Sequence, residues 1–262
     1  MLEIASKMRT ICFPPRCIGC RCEIQQNHFQ RNRTSGICQN NRISSLLTSH
    51  WCESCCFHLD HQELTPCWTC GAHLNQQSPL GTNCALCFKK NFRFRRAISL
   101  GNYQDSLKKL VIRMKNQHDE PLTIQLGYLL ANLLIDSEFI GSVDLITAVP
   151  THWWRRFKRG FQAAEMIAET IAHAVKLPFE PKLLKCKRST KKQGTLASTS
   201  RQKNVQDAFR VSPSISLRGL SVLLIDDVMT TGATANEISR ILLNCGAEKV
   251  YVGVIARGGR VS

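Results

Sequence analysis

The chain has 262 residues, of which 35 are Lys or Arg and 19 are Asp or Glu, so its formal net charge is +16 with His neutral. This length allows one domain of ordinary size and a smaller one. No apolar run reaches the ~18 residues of a membrane helix and no charged-then-apolar leader is visible, so we expect neither a membrane span nor a signal peptide. The positive charge favours a polyanionic partner, either nucleic acid or a small phosphorylated substrate. Fourteen cysteines without an export signal favour reduced thiols, bound metal and a cytoplasmic location.

Four Cys-x-x-Cys pairs lie within the first 95 residues. Two thiolates three residues apart can hold one metal ion from a tight turn, and two such turns complete a closed tetrahedral site. The pattern therefore predicts two structural zinc ions in a small amino-terminal domain spanning residues 1–95. A closed site leaves no position for a catalytic water molecule. The eight predicted ligands are Cys17, Cys20, Cys52, Cys55, Cys67, Cys70, Cys84 and Cys87.

The two predicted zinc sites differ in the spacing of their pairs. The last two pairs have the spacing of a zinc ribbon, whereas the first two must span a polar insertion at about residues 23–50 that is rich in Asn, Gln, Arg and Ser. Cys22 or Cys56 could replace a neighbouring ligand. The alternative is that some of these pairs are free thiols.

From about residue 96 onward, the apolar pattern alternates between strands and helices. Residues 88–96 are basic and form either a linker or the first strand. We predict one helix with the apolar face Leu107, Leu110, Val111 and Met114, a second after Pro121 and a third from Phe161 to Val175. Strands are predicted at Leu145–Val149, Val222–Ile225 and Lys249–Ala256, with a further candidate at Pro181–Cys186. Strands that alternate with helices indicate an α/β domain with a parallel sheet flanked by helices, here over residues 96–262.

A cationic loop at residues 151–160 leaves the carboxyl end of the strand that Pro150 terminates. Cations at this edge of a sheet can hold a phosphate group. Two alternatives remain: Trp153, Trp154 and Phe157 stack on the bases of single-stranded nucleic acid, or they pack on the zinc module. The predicted phosphate-binding residues of this loop are Arg155, Arg156, Arg159 and Gly160.

The polar segment 188–204 shows neither helical nor strand periodicity. We interpret it as a lid that closes over a reactive sugar and excludes water. A plain surface loop is the alternative.

The stretch from Val222 to Thr234 carries the strongest functional pattern. Four apolar residues predict a strand buried on both faces, and Asp226 and Asp227 stand at its carboxyl end. A glycine- and hydroxyl-rich turn then opens a helix, so its backbone N–H groups can bind an anion. Carboxylates repel phosphate but accept hydrogen bonds from sugar hydroxyls, and the stretch therefore predicts a sugar-phosphate site. The alternative is a buried strand followed by a capped helix. The predicted contacts are Asp226, Asp227, Thr230, Thr231, Gly232, Ala233 and Thr234.

These thirteen residues closely resemble the phosphoribosyl pyrophosphate (PRPP) signature of type I phosphoribosyltransferases. The combination with the four Cys-x-x-Cys pairs, Val149-Pro150, Arg159-Gly160-Phe161 and the pattern from Arg188 to Phe209 resembles the ComF family. The resemblance implies a double zinc ribbon joined to a phosphoribosyltransferase-like domain, in proteins of DNA uptake during natural transformation. Single-stranded DNA and a competence helicase are the partners that it suggests.

The resemblance also implies a reaction, which is phosphoribosyl transfer with release of pyrophosphate. Asp226 and Asp227 would hold the ribose hydroxyls, residues 230–234 the 5-phosphate, and the arginines of the 151–160 loop the pyrophosphate, with Mg²⁺ neutralising its charge. No residue is identified as a general base, and we assign no catalytic residue. The alternatives are a non-catalytic PRPP sensor that binds DNA or a helicase, and a nucleobase-salvage enzyme.

Overall fold

The computed structural model describes residues 15–24, 50–60, 65–74, 84–88, 90–115, 119–150, 162–187 and 205–259. These residues belong to two compact units, one within Met1–His61 and the other within Gln62–Ser262. The predicted cationic loop 151–160 and the predicted lid 188–204 lie outside the described residues. In the part that is described, no helix has the length and apolar character needed to cross a membrane.

The first unit is built around the first two cysteine pairs and helix α1 (Glu53–Asp60). Trp51 has no exposed surface and packs against Gly19, where a Cβ atom would approach the indole ring to 2.8 Å. The N–H of Ile18 donates to the carbonyl of His50 over 2.8 Å, which ties the two pairs together. A glycine is therefore required at position 19 because the tryptophan fills the space beside it.

The second unit contains the remaining elements. In chain order they are β1 (Thr65–Pro66), β2 (His73–Leu74), β3 (Arg96–Asn102), α2 (Asp105–Met114), α3 (Glu120–Ile135), β4 (Leu145–Ala148), α4 (Ala163–Val175), β5 (Leu184–Cys186), β6 (Phe209–Val211), β7 (Ser221–Met229), α5 (Ala233–Asn244) and β8 (Lys249–Arg257), with a short 3₁₀ helix at Ile140–Ser142.

A four-stranded parallel sheet forms the centre of this unit, in the order β3-β8-β7-β4. Residues Val222 to Ile225 of β7 have no exposed surface, which confirms a strand buried on both faces. The predicted face of α2 is buried as well, since Leu107, Leu110, Val111 and Met114 all lie in the core. The sequence prediction of a parallel α/β sheet flanked by helices is therefore confirmed.

Three elements differ in detail from the sequence prediction. The first strand of the main sheet, β3, begins at Arg96, the last residue of the basic stretch 88–96, which was predicted to be either a linker or the first strand. The segment around β5 pairs antiparallel with β6 and stays outside the main sheet. Strand β7 continues to Met229 because β8 is equally long and supplies pairing partners, with Asp226 opposite Val254 and Val228 opposite Ala256. The two aspartates are thus held by a strand ladder rather than by a loop.

Candidate functional site

The carboxyl ends of the parallel strands meet at one edge of the sheet, the place where ligands of such folds bind. Strand β7 ends there at Met229 and β8 at Arg257, the two being register partners. The chain then passes through residues 229–232, called here the glycine turn, into helix α5. All seven predicted contact residues from Asp226 to Thr234 lie in this strand–turn–helix segment. Arg155, Arg156, Arg159 and Gly160 lie outside the described residues.

Asp226 and Asp227 have different surroundings although they are neighbours. The Oδ1 atom of Asp226 accepts the backbone N–H of Asp227 over 2.8 Å. Burial, with the negative charge of Asp227 as a second cause, raises the pKa of Asp226 to about 8. Asp227 instead pairs with Lys115 over 2.9 Å between Oδ2 and Nζ. The carboxyl group of Asp226 therefore holds its proton to a higher pH than an ordinary carboxyl group and donates a hydrogen bond when protonated, while Asp227 faces a cation.

The glycine turn has the conformation that an anion-binding helix start requires. Gly232 adopts a φ of +80°, and a Cβ atom there would approach the ring of Phe92 to 2.7 Å. Helix α5 begins at the next residue, and the N–H of Ala233 reaches the hydroxyl of Thr231 over 3.3 Å. The start of a helix carries a partial positive charge and N–H groups without helical partners. The turn therefore suits a phosphate group.

Two cations that the sequence analysis missed, Arg257 and Lys90, donate hydrogen bonds to the backbone carbonyls of this turn. Arg257 has no exposed surface, and its guanidinium donates to the carbonyls of Met229 (3.0 Å), Thr230, Gly258 and Cys70 (3.1 Å). The Nζ of Lys90 donates to the carbonyl of Thr231 over 3.0 Å. A charged residue at the end of the apolar run 250–256 was the available signal for Arg257. Its acceptors are backbone carbonyls, so no residue type in the sequence marks them.

Lys115 was also missed, although it follows directly after the predicted helical face of α2. Its ion pair joins residues more than a hundred positions apart, and only the packing of α2 near the end of β7 brings them together.

The cysteine pairs assemble into the two tetrads that their spacing predicts. The first consists of Cys17, Cys20, Cys52 and Cys55, and the second of Cys67, Cys70, Cys84 and Cys87, with the sulfurs of each tetrad within 4.8 Å of one another. In the second tetrad, Cys67 and Cys87 are 3.7 Å apart and Cys70 and Cys84 3.4 Å, close to the about 3.8 Å that a tetrahedral site with Zn–S bonds of about 2.3 Å requires. Both tetrads can bind metal ions.

The two tetrads differ in accessibility. All four residues of the second tetrad are buried, whereas Cys20 of the first is exposed. Cys22 lies 3.2 Å from Cys20, between sulfur atoms, so it is near enough to exchange with it as a ligand. Burial raises the pKa of the Cys87 thiol to about 12, so a metal ion that binds there must displace protons.

Residues 158–260 match the model of the phosphoribosyl transferase domain family. This part of the chain is similar to phosphoribosyl transferase domains. It is 29% identical over 227 residues to DNA utilization protein YhgH of Salmonella typhi, covering 85% of this chain and 97% of that protein. It is 26% identical over 246 residues to Competence protein F of Haemophilus influenzae, covering 92% and 96%. These homologues confirm the resemblance to the ComF family.

Among solved structures, a glutamine PRPP amidotransferase from B. subtilis, complexed with ADP and GMP, is 22% identical, with a TM-score of 0.36. The alignment covers 52% of this chain and 26% of the amidotransferase, so the chain spans about a quarter of its length. The strand–turn–helix segment lies inside the stretch that matches the phosphoribosyl transferase domain.

Proposed function

We propose that this chain is a ComF-type protein of DNA uptake whose phosphoribosyl transferase domain binds PRPP or a related ribose phosphate. The observation that carries this proposal is the pair Asp226 and Asp227 at the end of a parallel strand, immediately before a turn with a left-handed glycine and a helix start. The carboxyl groups accept or donate hydrogen bonds to the ribose hydroxyls. The amides of the glycine turn and the hydroxyls of Thr230, Thr231 and Thr234 take the 5-phosphate.

The pyrophosphate of PRPP requires positive charge on the other side of the ribose. Arg155, Arg156, Arg159 and Gly160 are the residues proposed for this role, and Mg²⁺ would neutralise the charge of the pyrophosphate. The reaction is then a displacement at C1 of the ribose, in which the bond to pyrophosphate breaks and a bond to the acceptor forms. Since no general base is assigned, a nucleobase or a DNA group is the nucleophile.

Single-stranded DNA is the proposed macromolecular partner. Two observations support it: the net charge of +16 and the homologues named for DNA utilization and competence.

Zinc is the proposed ion of both tetrads, because four thiolates at tetrahedral spacing suit it. We further propose a cytoplasmic location, where incoming DNA meets a helicase of the uptake machinery.

Calorimetric titration of Mg²⁺–PRPP into the full chain tests the ribose-phosphate site. We expect Asp227→Asn to weaken binding about tenfold or more, because a neutral amide replaces a charged acceptor of ribose hydroxyls. Asp207→Asn is the control, since that residue is exposed and pairs with Arg240 at the surface.

Absence of binding to the unaltered chain, with and without single-stranded DNA, would reject the proposal. Binding without turnover on DNA or free bases would favour the PRPP sensor, and turnover with a free base independent of DNA would favour a salvage enzyme.

A further inference from the structure

Side chains close in sequence to the cysteines of the second tetrad contact the glycine turn and the segment that follows β8. Leu86 lies between Cys84 and Cys87 in the chain and packs so closely on Gly259 that a Cβ atom there would be 2.9 Å away. Lys90 donates its backbone N–H to the carbonyl of Cys87 over 2.8 Å, and its side chain reaches the carbonyl of Thr231. The ring of Phe92 fills the space under Gly232.

Arg257, which is fully buried, also connects the second tetrad with the glycine turn. Its Nε donates to the carbonyl of Cys70 in the tetrad, and its NH1 donates to the carbonyls of Met229 and Thr230 in the turn. Arg257 and Lys90 therefore bind three successive carbonyls of the turn, those of residues 229, 230 and 231. Both residues also donate hydrogen bonds to carbonyls of the second tetrad, Arg257 to that of Cys70 and Lys90 to that of Cys87.

This arrangement determines where the amides of the turn point. In a trans peptide the C=O and the following N–H are antiparallel. Carbonyls 229, 230 and 231 point to the cations, so the N–H groups of Thr230, Thr231 and Gly232 lie on the opposite side, where a phosphate can accept from them. A rotation of any of these peptides would remove a donor from the site.

The charges favour the same connection. A buried guanidinium is unstable unless negative charge offsets it, and among the described residues Arg257 donates its hydrogen bonds to backbone carbonyls and none to a carboxylate. Four thiolates and one divalent ion carry a net charge of about −2. A metal ion bound in the second tetrad therefore leaves the negative charge that Arg257 needs next to it.

We propose that the metal-loaded second tetrad is the positioning element of the glycine turn: Arg257 and Lys90 transmit its fixed geometry to the turn's carbonyls and so keep the amides directed at the bound phosphate. The proposal rests on the proposed function only in the identity of the ligand, a ribose phosphate. Arg257 and Lys90 are positioning residues, since they act through the backbone of the turn.

Nitrogen-15 relaxation of the full, metal-loaded chain without ligand tests this directly. We expect the backbone order parameters of residues 230–232 to fall from about 0.85 to below about 0.6 in Lys90→Met and in Arg257→Met, with the metal content unchanged. Lys90 is exposed, so its variant folds even if the buried Arg257 does not tolerate substitution. Lys108→Met, an exposed lysine of α2, is the matched control.

A second measurement uses ribose 5-phosphate as the probe. In the chain loaded with cadmium-113, the ion in each tetrad gives its own NMR resonance. The substitution Cys20→Ser shifts the resonance of the first tetrad and so identifies it. We expect ribose 5-phosphate to move the resonance of the second tetrad alone, and Lys90→Met to weaken its binding about three- to tenfold, because coupling between two sites is reciprocal.

The outcomes separate the two proposals. Unchanged order parameters of residues 230–232 in both variants overturn the positioning role whatever the ligand does. Unchanged affinity in Lys90→Met, in a chain that binds ribose 5-phosphate, overturns it as well. Lower order parameters in the variants without any binding of ribose 5-phosphate support the positioning role and reject the proposed ribose-phosphate site.

Discussion

Asp226 combines a cost in stability with its proposed role in ligand binding. Its carboxyl group lies in the β7 ladder beside the carboxyl group of Asp227, and both burial and that neighbour favour the protonated form. Lys115 neutralises Asp227 when no ligand is bound. A ribose hydroxyl that approaches this pair meets one donor and one acceptor, which suits a diol.

The raised pKa of Asp226 predicts a pH-dependent stability. Between pH of about 4 and about 8 the unfolded chain has lost the Asp226 proton and the folded chain retains it, so the free energy of unfolding falls as pH rises. Asp226→Asn removes this slope. We expect the variant to be more stable than the unaltered chain by at least about 2 kcal/mol at pH 8 and equal to it near pH 4, since each unit of pKa difference contributes about 1.4 kcal/mol.

Urea denaturation at several pH values measures this difference. Asp136→Asn, an exposed aspartate at the end of α3, is the control and should leave the slope unchanged. Parallel pH profiles for Asp226→Asn and the unaltered chain would contradict the prediction.

At the scale of elements, the glycine turn depends on Gly232, which has a left-handed backbone conformation and packs directly against the ring of Phe92. Gly232 and Gly219 have similar φ values of +80° and +77°, but a Cβ atom meets Phe92 at position 232 and nothing within 4 Å at position 219. The two positions therefore share the cost of the left-handed conformation and differ in packing.

Substitution by alanine separates these two effects. We expect Gly219→Ala to lower the free energy of unfolding by about 1 kcal/mol, and Gly232→Ala to lower it by about 2–3 kcal/mol and to abolish the binding of ribose 5-phosphate. Thermal denaturation and calorimetry provide the two readouts. Equal effects of both substitutions on stability and binding would mean that the contact with Phe92 is unimportant.

How far the sequence predicts this element depends on the range of each interaction. The buried run Val222–Ile225 and the helical face of α2 were predictable because strand and helix periodicities are local. The cysteine tetrads were predictable because metal-ligand spacing is local too. The extension of β7 to Met229 was not, since it depends on the length of β8. Arg257 and Lys90 were missed because their acceptors are carbonyls of distant segments.

At the scale of the whole molecule, the charge of +16 concerns association rather than fold. If Lys and Arg contact DNA phosphates, each contact releases a counterion, and affinity depends steeply on salt.

The domain boundary at residue 95 stays a prediction, as does the role of the 151–160 loop in stacking or in phosphate binding.

Fluorescence titration with single-stranded and duplex DNA tests this association. We expect affinity to fall about tenfold or more between about 50 and about 200 mM salt, and Trp153→Ala to weaken single-strand binding more than duplex binding. Trp68→Ala is the matched control, as Trp68 is half-exposed and stacks on Arg96. An affinity independent of salt would contradict DNA binding, and an equal loss in both variants would contradict a specific role for the loop.

The strand order has a consequence for how the molecule is made. Strand β8 comes last in the chain but lies in the middle of the sheet, between β3 and β7. Until residues 249–257 have been synthesised, β3 has no neighbouring strand in the main sheet and β7 has only β4. The nascent chain therefore carries exposed strand edges until β8 has been made, and closure of the sheet is an event of high contact order. The second tetrad needs no residue after Cys87 for its ligands, so metal capture can precede closure and give the last strand a preformed surface on which to dock.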